Sequence, residues 1–204
     1  MKYLAIDIGN VLCYVDFRKL FEAISKHANT TLEEAKYFIQ RIQKSHDLGL
    51  TDIAAELRDK LHIRSEVIID IIKYEWEGCI TANPYFLGKL DEWQEKYDLK
   101  IALLSNIGPE HAEMMKKTLG SYNFYREAIK HFSCQVGARK PNDLFYISFL
   151  MSNPEFKNCV YIDDLSENLE ASQKFGFKTF QFTLDDAKNY FGKMGELENI
   201  VERL

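Results

Sequence analysis

The hydrophobic positions of this chain keep two rhythms. Short, nearly continuous apolar runs at 3–8, 100–105, 131–134, 159–162 and 178–182 have the length and composition of strands, and such continuity is what burial on both faces of a parallel sheet demands. Between them, apolar residues recur at helical spacing, so the predicted order is that of alternating β and α units. One connection breaks the rhythm: about 90 residues separate the first two runs, where a crossover between parallel strands needs only a dozen or so. Inside that interval Phe17, Leu20, Phe21 and Ile24 draw one apolar helix face, and Ala35, Phe38, Ile39 and Ile42 draw a second. Ile53 with Leu57, and Val67, Ile68, Ile71 and Ile72, supply two more. Thr30-Thr31 ahead of Glu34, and Thr51-Asp52 ahead of Ala55-Glu56, provide helix starts in which a side-chain oxygen can accept an unpaired first-turn N–H. The pattern therefore predicts an α/β protein whose sheet carries an inserted helical bundle.

Composition and charge narrow the partners. The 204 residues suffice for one ordinary domain plus a smaller insertion. Twenty-six basic and 31 acidic side chains, a formal net charge of −5, are mixed along the chain without a basic stripe, which argues for small-molecule partners and no nucleic acid. No apolar run approaches the roughly 20 residues that span a bilayer, and no stretch has the layout of a secretory signal. The expectation is a cytoplasmic protein with no membrane contact, a monomer or small homo-oligomer. Cys13, Cys79, Cys134 and Cys159 are scattered, with no C-x-x-C pair, and are expected to be reduced core residues.

Chemistry gathers after the strand-like runs, at the end of an open α/β sheet where ligands bind. Asp7 ends the first run, Ser105-Asn106 the second, Lys140-Pro141 follows the third, and Asp163-Asp164 comes after the fourth. Three carboxylates converging in one cleft repel each other unless a cation sits among them. Mg²⁺ fits, because it binds one or two carboxylates and keeps positions for water and a substrate phosphate. The cleft is expected to hold metal and phosphate together.

In these positions the sequence resembles the haloacid dehalogenase (HAD) superfamily. The first of that family's four motifs, D-x-D-x-[TV], stands here as Asp7-Ile8-Gly9-Asn10-Val11, the second as Leu103-Leu104-Ser105-Asn106 and the third as Gly137-Ala138-Arg139-Lys140-Pro141. The fourth is Tyr161-Ile162-Asp163-Asp164, followed by Asn168. The D-x-G-N-V variant is similar to a subgroup of bacterial phosphatases that includes α-D-glucose-1-phosphate phosphatases. The resemblance implies a Rossmann-like catalytic core, residues 1–14 and 89–204, beneath a helical cap, residues 15–88. It implies a Mg²⁺-dependent phosphatase that hydrolyses small phosphorylated metabolites, sugar phosphates among them, through an aspartyl phosphate on Asp7. In that scheme Asp7, the Gly9 carbonyl and Asp164 hold the metal, with Asp163 nearby through water or Lys140. Ser105, its neighbouring N–H and Lys140 hold the phosphoryl oxygens, and Gly9, Asn10 and Asn106 contact the substrate. Asn168 fixes the fourth-motif loop.

Gly9 departs from the pattern, since the family's second aspartate, acid to the leaving group and base to water, is missing there. It can still offer a carbonyl to the metal and a close backbone approach to phosphate. The departure keeps two alternatives open: a metal-independent 2-haloacid dehalogenase-type hydrolase, and a catalytically weak protein that binds phosphorylated metabolites. Asp16 is a candidate replacement acid, or else a cap for the helix after Phe17. Arg18, His46 and Trp76 are candidates to face the substrate, or else a solvated residue, a helix end and part of the cap–core seam.

Overall fold

The computed structural model describes residues 1–184 and 189–204. The chain runs from β1 (Lys2–Ile6) through β2 (Cys13–Val15) into helices α1 (Arg18–Ala28), α2 (Leu32–Asp47), α3 (Ile53–Leu61) and α4 (Ser65–Asp70). A π-helical turn, Ile71–Trp76, leads to β3 (Ile80–Ala82) and α5 (Pro84–Tyr97). Then follow β4 (Leu99–Ser105), α6 (Pro109–Leu119), α7 (Asn123–Glu127), β5 (Ile129–Phe132), α8 (Ser133–Val136) and α9 (Asp143–Ser152). The chain closes with β6 (Val160–Asp163), α10 (Ser166–Gln173), β7 (Lys178–Gln181) and α11 (Tyr190–Arg203). Five strands make one parallel sheet in the order β5-β4-β1-β6-β7, with β1 at its centre. Leu4, Ile6, Leu103 and Ile162 face a core shared with Phe86, Trp93 and Phe124, while Ala5, Ala102 and Tyr161 face Phe145, Phe149 and Phe177. Both faces are covered, which is why the runs lack alternation.

The long interval folds as helices about a core of its own, with Leu20, Ile24, Phe38, Ile39, Leu57 and Trp76 at its heart. Its helices start where the sequence places them. Thr31 accepts the Glu34 N–H while the Glu34 carboxylate accepts the Thr31 N–H, and the Asp52 carboxylate accepts the Ala55 N–H. β2 and β3 pair antiparallel and carry the chain out to these helices and back. At three residues each, they are too short to leave a period in the sequence. The fourth apolar face does not continue as a regular helix. Glu77 N–H bonds to Ile72 C=O, five residues back, so that Ile71 and Trp76, also five apart, share a buried face.

Two run ends also differ from the pattern. β1 stops at Ile6, because the Ile8 carbonyl turns to accept N–H bonds from Val11, Leu12 and Cys13. β5 stops at Phe132, where Ser133 begins a helical turn and its buried hydroxyl donates to the Asp47 carbonyl and accepts from the Ile107 N–H. No described helix is long and apolar enough to cross a membrane. All four cysteines are free thiols.

Candidate active site

Three neighbouring strands, β4, β1 and β6, deliver Ser105, Asp7 and Asp163-Asp164 to one end of the sheet, and the loop between α8 and α9 adds Lys140. Lys140 is 1% exposed, its Nζ 3.0 Å from Asp7 Oδ1, 2.7 Å from Asp163 Oδ2 and 3.0 Å from the Tyr161 hydroxyl. Asn106 straps it down, donating from Nδ2 to the Lys140 carbonyl and accepting the Lys140 N–H at Oδ1. Asp163 is surrounded by donors. Besides Lys140 it accepts from the Tyr161 hydroxyl, the Asn168 amide and the Leu165 N–H. Asn168 is held in turn, since its carbonyl accepts the Tyr146 hydroxyl.

These partners refine several sequence assignments. Asn10 and Asn106 both line the cavity, but their amides serve the protein. Asn10 accepts the Val15 N–H and donates to Asp164, while Asn106 is reciprocally bonded to Lys140. Asp163, with both oxygens engaged, is an anchor for Lys140, which leaves Asp7 and Asp164 as the carboxylates open to a cation. Asp16 and Arg18 clasp each other in solvent and are outside the cavity lining. Arg18 holds the Asp16 carboxyl down at about 2, so Asp16 is a poor proton donor near neutrality. At Gly9 a Cβ would meet Val15 Cγ2 at 3.6 Å, an ordinary contact, so nothing steric requires glycine there.

Electrostatics separates the carboxylates. Burial pushes Asp7 up to about 7, with Lys140 opposing the rise and Asp163 and Asp164 adding to it. Burial, then Asp163, raises Asp164. Burial also acts on Asp163, but Lys140, the Tyr161 hydroxyl and the Leu165 N–H outweigh it and hold this carboxyl below its usual value. Asp7 Oδ1 is buried and pairs with the Lys140 ammonium at 3.0 Å. One ligand oxygen from each of Asp7, Asp163 and Asp164 lies within 4.8 Å of the others. An oxygen-only set with two carboxyls disfavoured as anions fits a hard divalent cation.

A cavity of about 240 Å³ opens above these groups. Its roof comes from the helical insertion: Phe17, Gln43, His46, Asp47 and Trp76. The roof is joined to the sheet domain by a polar seam, of which the sequence reading places Trp76 alone. His46 Nε2 lies 2.6 Å from Glu110 Oε2, and Asp47 pairs with Arg139 at 3.0 Å. Trp76 stacks on His111, centroids 4.5 Å apart, and His111 Nε2 donates to the Trp76 carbonyl at 2.8 Å. Burial pushes His111 down to about 4, so this imidazole is neutral at ordinary pH. Burial raises Asp47 in spite of Arg139, and His46 lowers Glu110. The ring of His46 lies against Gly108, where a Cβ would stand 1.8 Å from His46 Cε1. Arg139, inside the third motif, had a sequence signal, and His111 and Glu110 had only their place after Gly108. A larger, more open cavity of about 780 Å³ lies at the β5 edge, and the carboxylates do not line it.

No protein-family model matches the chain. Solved structures do match it. A HAD family enzyme from Bacteroides thetaiotaomicron superposes with a TM-score of 0.74 at 22% identity, covering 94% of this chain and 98% of that one. The same enzyme in complex with magnesium and inorganic phosphate gives 0.72 at 23% identity over 94% and 99%. A predicted HAD-like family hydrolase from Porphyromonas gingivalis gives 0.72 at 18% over 97% and 98%. The L-2-haloacid dehalogenase from Xanthobacter autotrophicus, with chloropropionic acid covalently bound, gives 0.60 at 13% over 93% and 81%. The fold is that of the HAD enzymes.

Proposed function

We propose that this chain is a Mg²⁺-dependent HAD-type phosphatase that hydrolyses small phosphomonoesters, sugar phosphates foremost, through an aspartyl phosphate on Asp7. The observation that carries this reading is the buried carboxylate of Asp7 paired with Lys140 and close to Asp163 and Asp164. Asp7 attacks phosphorus and displaces the alcohol, and water then cleaves the acyl phosphate, so one difficult displacement becomes two easier ones. Ser105 and Lys140 hold the phosphoryl oxygens, where charge spreads in the transition state. Asp163 keeps Lys140 charged and aimed, and Asn106 fixes the Lys140 backbone. Asp7, Asp164 and the Gly9 carbonyl would hold the metal, which when bound neutralises and orients the phosphoryl group.

Residues 1–14 and 89–204 form the catalytic core in this reading, and residues 15–88 the cap that closes over it. The cavity, about 240 Å³, is below the usual range of roughly 300–1,000 Å³ for ligand sites, which favours a leaving group no bigger than a simple sugar. Gly9, together with the fold shared with a haloacid dehalogenase, supports a second reading, displacement at carbon without a metal. The charge cluster of Asp7, Lys140, Asp163 and Asp164 favours phosphate. A screen of phosphorylated metabolites for released phosphate, with Mg²⁺ and with chelator, tests the proposal. Turnover is expected only with the metal, and halide release from 2-haloacids in chelator, with no phosphate released from any ester, would overturn it.

A further inference from the structure

Rapid cleavage of an unactivated ester needs a proton for the departing oxygen, and position 9 has no side chain to give one. The cavity lining contains a substitute, an inference that rests on the phosphatase reading above. Its other titratable groups are committed: Asp7 and Asp164 to attack and metal, Lys140 to Asp7 and Asp163, and Asp47 to Arg139. His111 gives its Nε2–H to the Trp76 carbonyl, and burial, which pushes it down to about 4, keeps it from carrying a second proton. His46 remains.

Three features of His46 fit a proton carrier. Imidazole has two ring nitrogens, so one can be held by a partner while the other gives or takes a proton. The Glu110 carboxylate, 2.6 Å from Nε2, can only accept there, so Nε2 carries a hydrogen and Nδ1 is the nitrogen left for chemistry. Among the described residues no hydrogen bond reaches Nδ1. Lastly, the bare backbone of Gly108, three residues beyond Ser105, leaves space that a Cβ would take, at 1.8 Å from Cε1 and 2.3 Å from Nδ1. The missing Cβ seats the ring on the loop that carries the phosphate-binding serine.

We propose that His46, oriented by Glu110, is the general acid and base of this site. In the first step the charged imidazole gives its Nδ1 proton to the leaving oxygen as the bond from phosphorus to that oxygen breaks and the bond from Asp7 to phosphorus forms. In the second step the neutral Nδ1 takes a proton from the water that attacks phosphorus, the Asp7–phosphorus bond breaks, and inorganic phosphate leaves. One proton is given and one recovered per turnover. The charged or titratable groups facing His46 are Glu110 and His111 from α6, with Asp47 on its own helix paired to Arg139.

The test compares 4-nitrophenyl phosphate with alkyl phosphates such as glycerol 3-phosphate, in Mg²⁺, for the wild type, His46→Gln, Glu110→Gln and His46→Gln combined with Gly9→Asp. His46→Gln is expected to lose about 10²–10⁴-fold on alkyl phosphates, with a far smaller loss on the aryl ester, whose leaving group needs no proton. It should also lose one limb of the pH dependence of kcat/KM. Gly9→Asp should restore alkyl turnover in the His46→Gln background, which a repaired packing contact could not do. Equal losses on both ester classes without that rescue would mean that His46 only joins cap to core, and the inference falls while the phosphatase reading stands. If His46→Gln does not fold, Glu110→Gln decides on the same selectivity, because its carboxylate is a third exposed and its loss leaves the core packing intact. A wild type with no Asp7-dependent release of phosphate from any ester overturns both.

Discussion

On the floor of the cavity a lysine lies between two buried carboxylates, paired with both. Along the roof, rings do the joining: His46 meets Trp76 edge to face at 5.0 Å, Trp76 stacks on His111, and the charges, Glu110 and Arg139, stand toward the rim. Both regions are polar and buried, yet deletion should act on them differently. A buried ion pair gains little over an apolar equivalent, but removing one partner strands the other in a medium that cannot solvate it. Removing a stacked ring with one hydrogen bond leaves a hole and an unpaired acceptor, which cost less. Loss of the floor's lysine should therefore cost stability abruptly, and substitution in the roof by degrees.

The largest expected effect is at Lys140 and Asp7. Lys140→Ala leaves Asp7 and Asp163 facing each other, so it should abolish turnover and cost about 3–5 kcal/mol in denaturant unfolding, the range for a broken buried pair. Asp7→Asn should abolish turnover as completely but stabilise the metal-free fold, because it removes a carboxylate whose ionised form burial already opposes. Paired melting curves check this. A Lys140→Ala protein as stable as the wild type would show the floor to be as forgiving as the roof.

The second prediction couples pH to metal. Asp7 titrates at about 7 in the fold against an ordinary 3.8, so between these values the folded state keeps a proton that the unfolded chain has released. Its contribution to stability is complete below the ordinary value and is lost as pH rises through the folded one. In chelator, Tm should therefore fall as pH rises through this window. A cation that binds the ionised folded form adds stability by mass action, so Mg²⁺ should raise Tm more at about pH 8 than at about pH 5. His111, pushed down to about 4, works in the opposite direction, its contribution present above the ordinary 6.5 and lost as pH falls through the folded value. His111→Gln should flatten the acid side alone and leave the magnesium response unchanged.

The same contrast explains how far the sequence could be read. Asp7, Ser105 and Asp163-Asp164 stand at the ends of apolar runs, and a parallel sheet aligns such ends, so a one-dimensional pattern already predicts their meeting. His46, Trp76 and His111 meet because α2 and the π turn dock against α6, and no period in the sequence encodes a docking angle. The π turn itself replaces a three-to-four spacing by five, which hides Trp76 from a helical count. Roles within the floor were also only partly legible. Asn10 and Asn106 stand in the motif, but what their amides bond to follows from loop geometry, as does the saturation of Asp163.

A smaller effect belongs to the ion pair between roof and floor. Asp47 is buried and its carboxyl is raised despite Arg139, so the pair does not fully repay the burial of that charge. Asp47→Asn removes the costly charge and leaves Arg139, whose side chain is 26% exposed, to water. It should change stability by less than about 1 kcal/mol. Arg139→Ala strands Asp47, 7% exposed on its side chain, and should cost about 1.5–3 kcal/mol, the worth of a hydrogen bond to a charged group. It should also raise KM, since Arg139 lines the cavity. Equal costs from the two substitutions would place this pair with the floor.

The smallest effect on stability is expected at Trp76. Its Nε1–H is buried without a partner in a residue that lines the cavity, whereas the donors around Asp163 are all engaged. An unsatisfied buried donor costs about 1–3 kcal/mol, so Trp76→Phe removes that penalty while giving up part of the stack on His111. The two changes oppose each other, and the net should fall within about 1 kcal/mol in urea unfolding. Activity should respond more clearly. If the cavity fills with a hydroxylated leaving group, the indole N–H gains its partner only in the complex, and a hydrogen bond of about 0.5–1.5 kcal/mol corresponds to roughly 2–10-fold in kcat/KM. Trp76→Phe should therefore lower kcat/KM by that factor on sugar phosphates while leaving 4-nitrophenyl phosphate, whose ring bears no hydroxyl, nearly unchanged. An equal loss on both substrates, or a drop in stability as large as that of Lys140→Ala, would mean that Trp76 supports the seam by packing alone.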